Sequence, residues 1–332
     1  MQTLVYTAPN TIELQERPAP VPASGALRLR VDAVGICGSD LHAYKGHDPR
    51  RVPPMVLGHE FVGTALDGPQ AGQRFTANPL VCCGRCRWCL QDRGNLCNNR
   101  SMIGMNLPGA FAEQLLVPEV CLVPVPSSLG DASAALAEPA ATVVHALRLA
   151  ERALVPPWSE VRALVLGAGA IGLLAALALQ RRGVHTLAVL EPNPLRAQAL
   201  HQASGLQALP GADLPAAAAA LEGYYFVFDV VGIAATRDQA IANAAPGGVV
   251  AHVGLGDWAS PLDWRTLTLR EITLVGCYTY NTADLRTAVA ALDAGGFGDL
   301  AWVEQRPLAQ GASAFADLVA GRVASAKIVL RP

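Results

Sequence analysis

The chain has 332 residues, of which 52% are hydrophobic and 16% charged, and its formal net charge is −2. Such a chain is expected to fold into about two domains with sizeable cores, and disorder is not expected. The near-neutral charge argues against a nucleic-acid partner or an anionic membrane surface, because both favour a basic face. The N-terminus lacks a basic segment followed by an apolar core, and glycines interrupt the longest apolar stretch. The sequence therefore predicts no signal peptide, no membrane span and a cytoplasmic location.

Residues 1 to about 140 are predicted to be mainly β-structure. The segment Leu27–Val34 alternates apolar and polar residues, which is typical of a half-buried strand. Glycine and proline punctuate the surrounding chain at short intervals, as in turns. These features indicate a small barrel-like domain.

Four cysteines lie in a C-x2-C-x2-C-x7-C run within this half: Cys83, Cys86, Cys89 and Cys97. Tetrahedral zinc takes four thiolates in closed structural sites, and this spacing lets the chain wrap around one ion. Disulfides are the alternative, and they require an oxidising compartment that the N-terminus does not indicate. The remaining cysteines outside the proposed metal sites are interpreted as small core or loop residues, namely Cys82, Cys121 and Cys277.

A second potential ligand set consists of Cys37, His59, Glu60 and Glu138, which are far apart in sequence. Cys37 lies in a predicted loop after a strand, and His59 follows another apolar run. Zinc accepts sulfur, nitrogen and oxygen donors, and three protein ligands leave a fourth position for water or substrate. The sequence leaves open whether Glu60 or Glu138 is the direct carboxylate ligand.

Polar side chains close to Cys37 suggest a route for a proton. The Ser39 hydroxyl can pass a proton from a bound alcohol, and the His42 imidazole can deliver it to water. A zinc-linked water near Glu138 is the alternative route for this proton. Asp40 can orient His59 as a hydrogen-bond acceptor. For Ser39 and Asp40, ordinary turn chemistry is an equally good interpretation.

The second half of the chain alternates predicted strands and helices, which gives a parallel sheet covered by helices. The predicted strands are 163–169, 186–192, 225–231, 248–253 and, at the end of the chain, 326–330. The predicted helices are 141–154, ended by Pro156 and Pro157, then 171–183, 194–204, 237–244 and 285–294, with an exposed alanine-rich helix at 211–220.

A G-x-G-x-x-G motif, formed by Gly167, Gly169 and Gly172, follows a predicted strand and opens a predicted helix. Its glycines permit a tight turn, close approach of a pyrophosphate and close packing of helix on strand. The predicted cofactor-binding residues are these glycines, the intervening Ala170 and Ile171, Glu191 and Arg196. The Glu191 carboxylate, at the end of the next strand, can bind ribose hydroxyls and repel a 2′-phosphate, which favours NAD over NADP. Arg196 can hold a 2′-phosphate, pack on the adenine or pair with Glu191.

These segments resemble the zinc-containing medium-chain alcohol and polyol dehydrogenases over nearly the whole chain, in particular the sorbitol and threonine dehydrogenase branch. The segments GICGSDLH, GHEFVG, GAFAEQLLVP, AEPAATVVHA and LGAGAIG stand in the family's order. The likeness to that branch comes from Glu138-Pro139, where liver-type alcohol dehydrogenases have a cysteine ligand. Thr279 stands where sorbitol dehydrogenases have an arginine near the substrate, which puts recognition of sorbitol in doubt.

The resemblance implies an α/β fold with a Rossmann domain, residues 141–281, and a mainly β, chaperonin-ten-like (GroES-like) catalytic domain, residues 1–140 and 282–332. It implies two zinc ions per chain and a homodimer or homotetramer. The expected activity is reversible, NAD-dependent oxidation of a secondary alcohol or polyol to a ketone or aldehyde. The alternatives are a reductase working mainly in the reverse direction and a non-catalytic NAD-binding sensor of the same fold.

Overall fold

The computed structural model describes all 332 residues and divides the chain into two compact units. Unit 1 consists of Met1–Ala141, Asn281–Ala294 and Val303–Pro332, and unit 2 consists of Thr142–Tyr280 and Gly295–Trp302. The predicted boundaries give residues 295–302 to the catalytic domain, whereas the contacts group them with unit 2. No helix of the structure combines the length and the apolar character needed to cross a membrane.

Unit 1 is built mainly from short strands. They are β1 (Gln2–Ala8), β2 (Thr11–Glu16), β3 (Ala26–Gly35), β4 (Glu60–Ala65), β5 (Arg74–Ala77), β6 (Leu80–Val81), β7 (Ser101–Met102), β8 (Gln114–Pro118), β9 (Leu122–Pro124), β16 (Val303–Pro307) and β17 (Lys327–Arg331). Its helices are α1 (Gly38–Tyr44), α2 (Asp131–Ala134), α9 (Thr282–Asp293) and α10 (Gly311–Val319), and α3 (Ala137–Ala150) begins in this unit.

The main sheet of unit 1 has seven strands in the order β16-β17-β3-β4-β5-β9, and β8 also pairs with β3. All its pairings are antiparallel except β16 with β17. The alternation in β3 buries Leu27, Leu29 and Val31 in the core, as the sequence pattern predicts. Phe111 packs edge-on against Phe315 of α10, with ring centroids 5.7 Å apart.

Unit 2 contains one parallel sheet with helices between its strands. The strands are β10 (Arg162–Leu166), β11 (Thr186–Leu190), β12 (Ala208–Leu209), β13 (Tyr224–Asp229), β14 (Ala244–His252) and β15 (Thr273–Gly276). The helices are α4 (Ala170–Arg181), α5 (Pro194–Ser204), α6 (Leu214–Ala220), α7 (Ala234–Asn243) and α8 (Trp264–Leu269).

The strand order of this sheet is β12-β11-β10-β13-β14-β15, and every pairing is parallel. The central strands are continuous apolar runs because both of their faces are buried; Leu164, Val227 and Val249 are each 0% exposed. The chain order reverses at β10, which has β11 on one side and β13 on the other. In sheets of this kind, ligands bind beyond the carboxyl ends of the strands at such a reversal.

Several elements differ from those predicted. The helix predicted over 141–154 is α3, which begins at Ala137 because a proline such as Pro139 is tolerated in a first helical turn. Cys37 does not lie in a loop but at the N-cap of α1. The alanine-rich helix, predicted to be exposed, buries Leu214 and Ala218, which are four residues apart and share a face. Neither α8 nor α10 was predicted.

Candidate metal centre and cofactor site

The strand pairing of unit 1 brings Cys37, His59 and Glu60 together. Gly35 ends β3 and pairs with Glu60, the first residue of β4. Cys37 then follows Gly35 by two residues, and His59 directly precedes Glu60. One ligand atom from each of Cys37, His59 and Glu60 lies within 4.8 Å of the others. Cys37 and His59, 22 positions apart in sequence, therefore meet because the end of β3 lies beside the start of β4.

Asp40 lies behind this cluster and is fully buried. Its Oδ2 accepts a hydrogen bond from the Cys37 backbone N–H at 3.1 Å, and its Oδ1 lies 3.5 Å from His59 Nδ1. This contact directs Nδ1 of the ring towards the carboxylate and leaves Nε2 for a ligand. Burial alone would lower the pKa of His59, but the charges of Asp40 and Cys37 raise it well above its usual value. The surroundings of this imidazole are thus anionic and favour a cation.

Glu60 is paired with a lysine that the sequence analysis did not identify. Lys327 Nζ lies 2.8 Å from Glu60 Oε1 and 2.5 Å from Oε2, and it also donates to the Ile36 carbonyl at 2.9 Å. Both side chains are buried. A Cβ on Gly35 would lie 2.3 Å from Glu60 Oε2, so with any other residue at this position the carboxylate would have to shift from its place beside Lys327. The sequence signal that could have identified Lys327 is a single lysine at the start of an otherwise apolar strand segment, KIVL.

Glu138 lies outside the 4.8 Å cluster but is electrostatically close to it. It is buried in the first turn of α3. Burial lowers the pKa of Lys327, and the negative charges of Glu60, Cys37 and Glu138 overcome that effect and raise it. The carboxylate that the structure places at ligand distance from Cys37 and His59 is therefore Glu60, with Glu138 nearby.

Ser39 and His42, the predicted proton-route residues, both lie on α1. The buried guanidinium of Arg51 donates to the Ser39 carbonyl at 3.1 Å and lies 3.4 Å from its hydroxyl. His42 is exposed in the last turn. Partial shielding of its ring, together with the charges of Lys45 and His47, lowers its pKa, so the imidazole is neutral near pH 7. Arg51 was also not identified from the sequence.

The four cysteines of the C-x2-C-x2-C-x7-C run converge on one point. Their sulfurs all lie within 4.8 Å of one another, and three of the pairs are 3.5, 3.6 and 3.9 Å apart. Four sulfurs about 2.3 Å from a zinc ion lie about 3.8 Å apart in a tetrahedron. The sulfurs are too far apart for disulfides, whose bond is about 2.05 Å long, and all eight cysteines are free. The donor set fits a structural zinc ion.

Cys82, although adjacent to the tetrad, lies outside it. Its thiol donates to the carbonyl of Gly94 at 3.1 Å. Within the tetrad, hydrogen bonds from the backbone of Arg85 and Cys86 lower the pKa of Cys83 to about 6. A thiol that ionises this readily is suited to metal binding, which requires the thiolate.

The glycine motif forms the predicted turn between β10 and α4. Gly167 has φ +101°, and a Cβ at this position would meet Val231 at 2.6 Å. A Cβ on Gly172 would lie 1.9 Å from the Gly167 carbonyl oxygen, so helix and strand pack at a distance that only glycine permits. Gly169 caps α4, and a Cβ there would meet nothing within 4 Å. The turn thus presents open space in front of the helix N-terminus, where Ala170 and Ile171 begin the helix, and this fits a pyrophosphate.

Glu191 follows β11 and is tied to this turn. Its Oε2 accepts from Ala168 N at 2.9 Å, and its Oε1 accepts from Asn193 N at 2.8 Å and from Arg196 at 3.0 Å. Of the roles open to Arg196, the structure shows the pairing with Glu191. The carboxylate is placed beside the turn, where an adenosine ribose would follow the pyrophosphate.

Two family models match the chain. Residues 23–127 match the alcohol dehydrogenase GroES-like domain, and residues 170–294 match the zinc-binding dehydrogenase family. The L-threonine 3-dehydrogenase of Mesorhizobium japonicum is 32% identical to this chain over 282 residues, which cover 80% of each protein.

Solved structures share the fold over the whole chain. The acetophenone reductase of Geotrichum candidum, solved in complex with NAD, superposes with a TM-score of 0.86 at 27% identity and covers 100% of this chain and 97% of its own. A protein from Sinorhizobium meliloti described as a zinc-binding dehydrogenase, solved with NADP, gives a TM-score of 0.87 at 26% identity over 100% and 99% of the two chains.

These matches confirm the predicted fold class, with a GroES-like domain and a Rossmann domain, and they agree with the two donor sets and the glycine turn. The chain therefore belongs to the zinc-type alcohol dehydrogenase family, as an enzyme that interconverts alcohols or polyols and the corresponding carbonyl compounds with a nicotinamide cofactor.

Proposed function

We propose that the protein oxidises a secondary alcohol or polyol reversibly with NAD, using one catalytic and one structural zinc ion per chain. The observation that carries the proposal is the meeting of Cys37, His59 and Glu60, with their donor atoms within 4.8 Å, in a chain that also has the glycine turn. Bound there, zinc supplies a Lewis acid that lowers the pKa of an alcohol hydroxyl, and NAD supplies the hydride acceptor.

The residues of the first cluster have separate tasks in this proposal. Cys37, His59 and Glu60 hold the metal, and Asp40 fixes the tautomer and orientation of His59. Lys327 neutralises the charge of Glu60, which limits the excess negative charge of the buried cluster. Glu138, close to this cluster, orients a water molecule and is not a direct ligand.

The proton of the alcohol leaves through Ser39 and then His42 in this proposal. Arg51 holds the Ser39 carbonyl and contacts its hydroxyl, so the hydroxyl has a defined position. The lowered pKa of His42 keeps its imidazole neutral at pH 7, in the form that accepts a proton. Its exposed position lets it release that proton to solvent.

The preference for NAD over NADP rests on Glu191. Its buried carboxylate, fixed by Ala168 and Asn193, would meet a 2′-phosphate as a like charge. Arg196 is paired with Glu191 at 3.0 Å and is therefore not free to hold a 2′-phosphate. Relatives of this fold were solved with NAD and with NADP, so the choice must be made by residues such as these.

The domain limits, assembly and compartment belong to the same proposal. We place the catalytic domain at 1–140 and 282–332 and the cofactor domain at 141–281, close to the two compact units. Thiolate ligands require reduced cysteines, which supports a cytoplasmic location. A homodimer or homotetramer is proposed from the family alone.

The test is a screen of secondary alcohols and polyols with NAD and NADP, followed by absorbance of the reduced cofactor, with ketones and aldehydes assayed in reverse. We expect turnover with NAD in the unaltered protein and no turnover in Cys37→Ser. In Glu191→Ala we expect a smaller preference for NAD over NADP. The double variant Glu191→Ala/Arg196→Gln is the control, because Arg196 freed from Glu191 can hold a 2′-phosphate. Equal or better activity of the unaltered protein with NADP would contradict the cofactor assignment, and no turnover with any alcohol would contradict the function.

A further inference from the structure

The C-terminal end of α1 carries an unpaired positive charge beside His42. Lys45 is the C-cap residue of α1 and keeps the helical backbone, with φ −72° and ψ −5°. Residues three positions apart on a helix lie on the same face with adjacent side chains, so Lys45 is a neighbour of His42. Both side chains are exposed, and Lys45 forms no ion pair. The imidazole therefore has a free ammonium group next to it at the surface.

The chain that follows α1 folds back onto this end of the helix. The His47 N–H donates to the His42 carbonyl at 2.9 Å, which places His47 on the last turn. The single carboxylate of this segment, Asp48, is buried and already contacts Arg50 at 2.8 Å and Arg51 at 3.1 Å. No negative charge of this segment is thus left to neutralise the ammonium group beside the imidazole.

The charges around the His42 ring are mostly positive. Partial shielding from water is the largest cause of its lowered pKa, and further charges act on it, those of Lys45, His47 and Arg51, opposed only by Asp48. A proton that reaches this imidazole is repelled by its neighbours, whereas an anion is attracted to the same place. A negatively charged base therefore gains from this field when it approaches His42, and a neutral base does not.

We propose that the exposed end of α1, beside His42 and Lys45, binds a small oxyanion base that takes the proton from His42. The proposal rests on the proposed function, since it requires a proton that leaves the alcohol through Ser39. Hydrogen phosphate is a base of this class. It arrives as a dianion, accepts one proton from the imidazolium N–H and leaves as a monoanion, and the imidazole returns to its neutral form. The product carries half the charge, so Lys45 attracts it less and it is released.

The test uses His42→Gln, in which an added base must take over the transfer of the proton to solvent. Hydrogen phosphate and imidazole have similar pKa values but different charges, and each is titrated at fixed pH and ionic strength while NADH formation is followed. We expect phosphate to restore the rate at about two- to fivefold lower concentration than imidazole, the effect of one exposed ion pair. In His42→Gln/Lys45→Met the two bases should be equally effective.

Two further variants of the His42→Gln protein separate the local charge from the net charge. Lys45→Arg keeps the positive charge and should keep the preference for phosphate. Arg17→Met removes an exposed cation that follows β2, elsewhere in unit 1, and should not change the preference. Added sodium chloride should reduce the preference, because salt screens exposed charges.

Equal effectiveness of the two bases in His42→Gln would overturn the inference and leave the proposed function intact. A preference for phosphate that survives Lys45→Met would also overturn it, as would a rate that neither base restores. Absence of turnover in the unaltered protein with any alcohol would instead overturn the proposed function, and the inference with it.

Discussion

At the scale of single residues, the most consequential contact is the buried pair of Lys327 and Glu60. Neither charge reaches water, and the two nitrogen–oxygen contacts are 2.5 and 2.8 Å long. Removing one member of such a pair leaves the other as an isolated buried charge, which costs far more than the pair itself contributes. The pair therefore links a residue of the candidate zinc site to the closing strand of the same unit.

In the Cys37→Ser variant, which is expected to lack the catalytic zinc ion, Lys327→Met should lower the free energy of unfolding by about 3 kcal/mol, because Glu60 would then be buried with neither a metal ion nor a lysine beside it. Urea denaturation followed by circular dichroism measures this change. The chain has one other lysine, Lys45, which is exposed, and Lys45→Met is the matched control with no expected effect. If both variants unfold at the same urea concentration, Glu60 finds another partner and the pair is not required.

The proton route gives a prediction with a defined direction in pH. Ser39→Ala should lower alcohol oxidation by about 10²-fold while zinc content and NADH binding stay unchanged.

For His42, the active form is the neutral imidazole, and its lowered pKa preserves that form until the pH falls below the usual value of about 6.5. The rate should therefore decline on the acid side below this value. In His42→Gln this decline in rate at acid pH should vanish. The rate near neutral pH should be moderately reduced, and imidazole buffer should restore part of the lost rate. An unchanged pH profile in His42→Gln would remove His42 from the route.

At the scale of elements, two glycines of the same turn have different roles. Gly172 is needed for folding, and Gly169 is needed for cofactor binding. A methyl group at Gly172 would lie 1.9 Å from a backbone oxygen that cannot move away, whereas one at Gly169 would meet nothing within 4 Å. Gly172→Ala should thus destabilise unit 2 or prevent its folding. Gly169→Ala should fold normally and bind NADH poorly, because the methyl group occupies the space for the pyrophosphate. Thermal unfolding and NADH titration distinguish the two, and tight NADH binding by Gly169→Ala would contradict the placement of the phosphates.

Elements whose signals are local could be predicted from the sequence, and those that depend on distant pairing could not. The cysteine tetrad and the glycine turn each lie within a short run, so spacing alone indicated their geometry. Lys327 is 267 positions from Glu60, and the sequence around neither residue predicts their contact. Arg51 was missed for a similar reason, since its burial depends on carbonyls of Ser39 and Gly104. The proximity of Cys37, His59 and Glu60 was expected from family likeness, and the pairing of β3 with β4 now accounts for it.

At the scale of the whole molecule, unit 1 carries two donor sets with different consequences for the fold. The tetrad is composed entirely of cysteines and lies in a segment without strands, from residue 82 to residue 100. The set of Cys37, His59 and Glu60 is built on the strands of the main sheet, which exist without it. Loss of the first metal is therefore expected to affect stability, and loss of the second only activity.

Elemental analysis of the purified protein should find two zinc ions per chain. Cys37→Ser should keep one zinc ion and the thermal stability of the unaltered protein, because the main sheet does not depend on the catalytic metal. Cys89→Ser should lose the other zinc ion and unfold at a lower temperature, since its sulfur lies 3.5 Å from that of Cys86 and 3.9 Å from that of Cys83. Cys82→Ser is the matched control: its thiol is bonded to the Gly94 carbonyl and not to the tetrad, so zinc content should not change. A single zinc ion in the unaltered protein, or two in Cys37→Ser, would show that Cys37 and His59 do not form a zinc site.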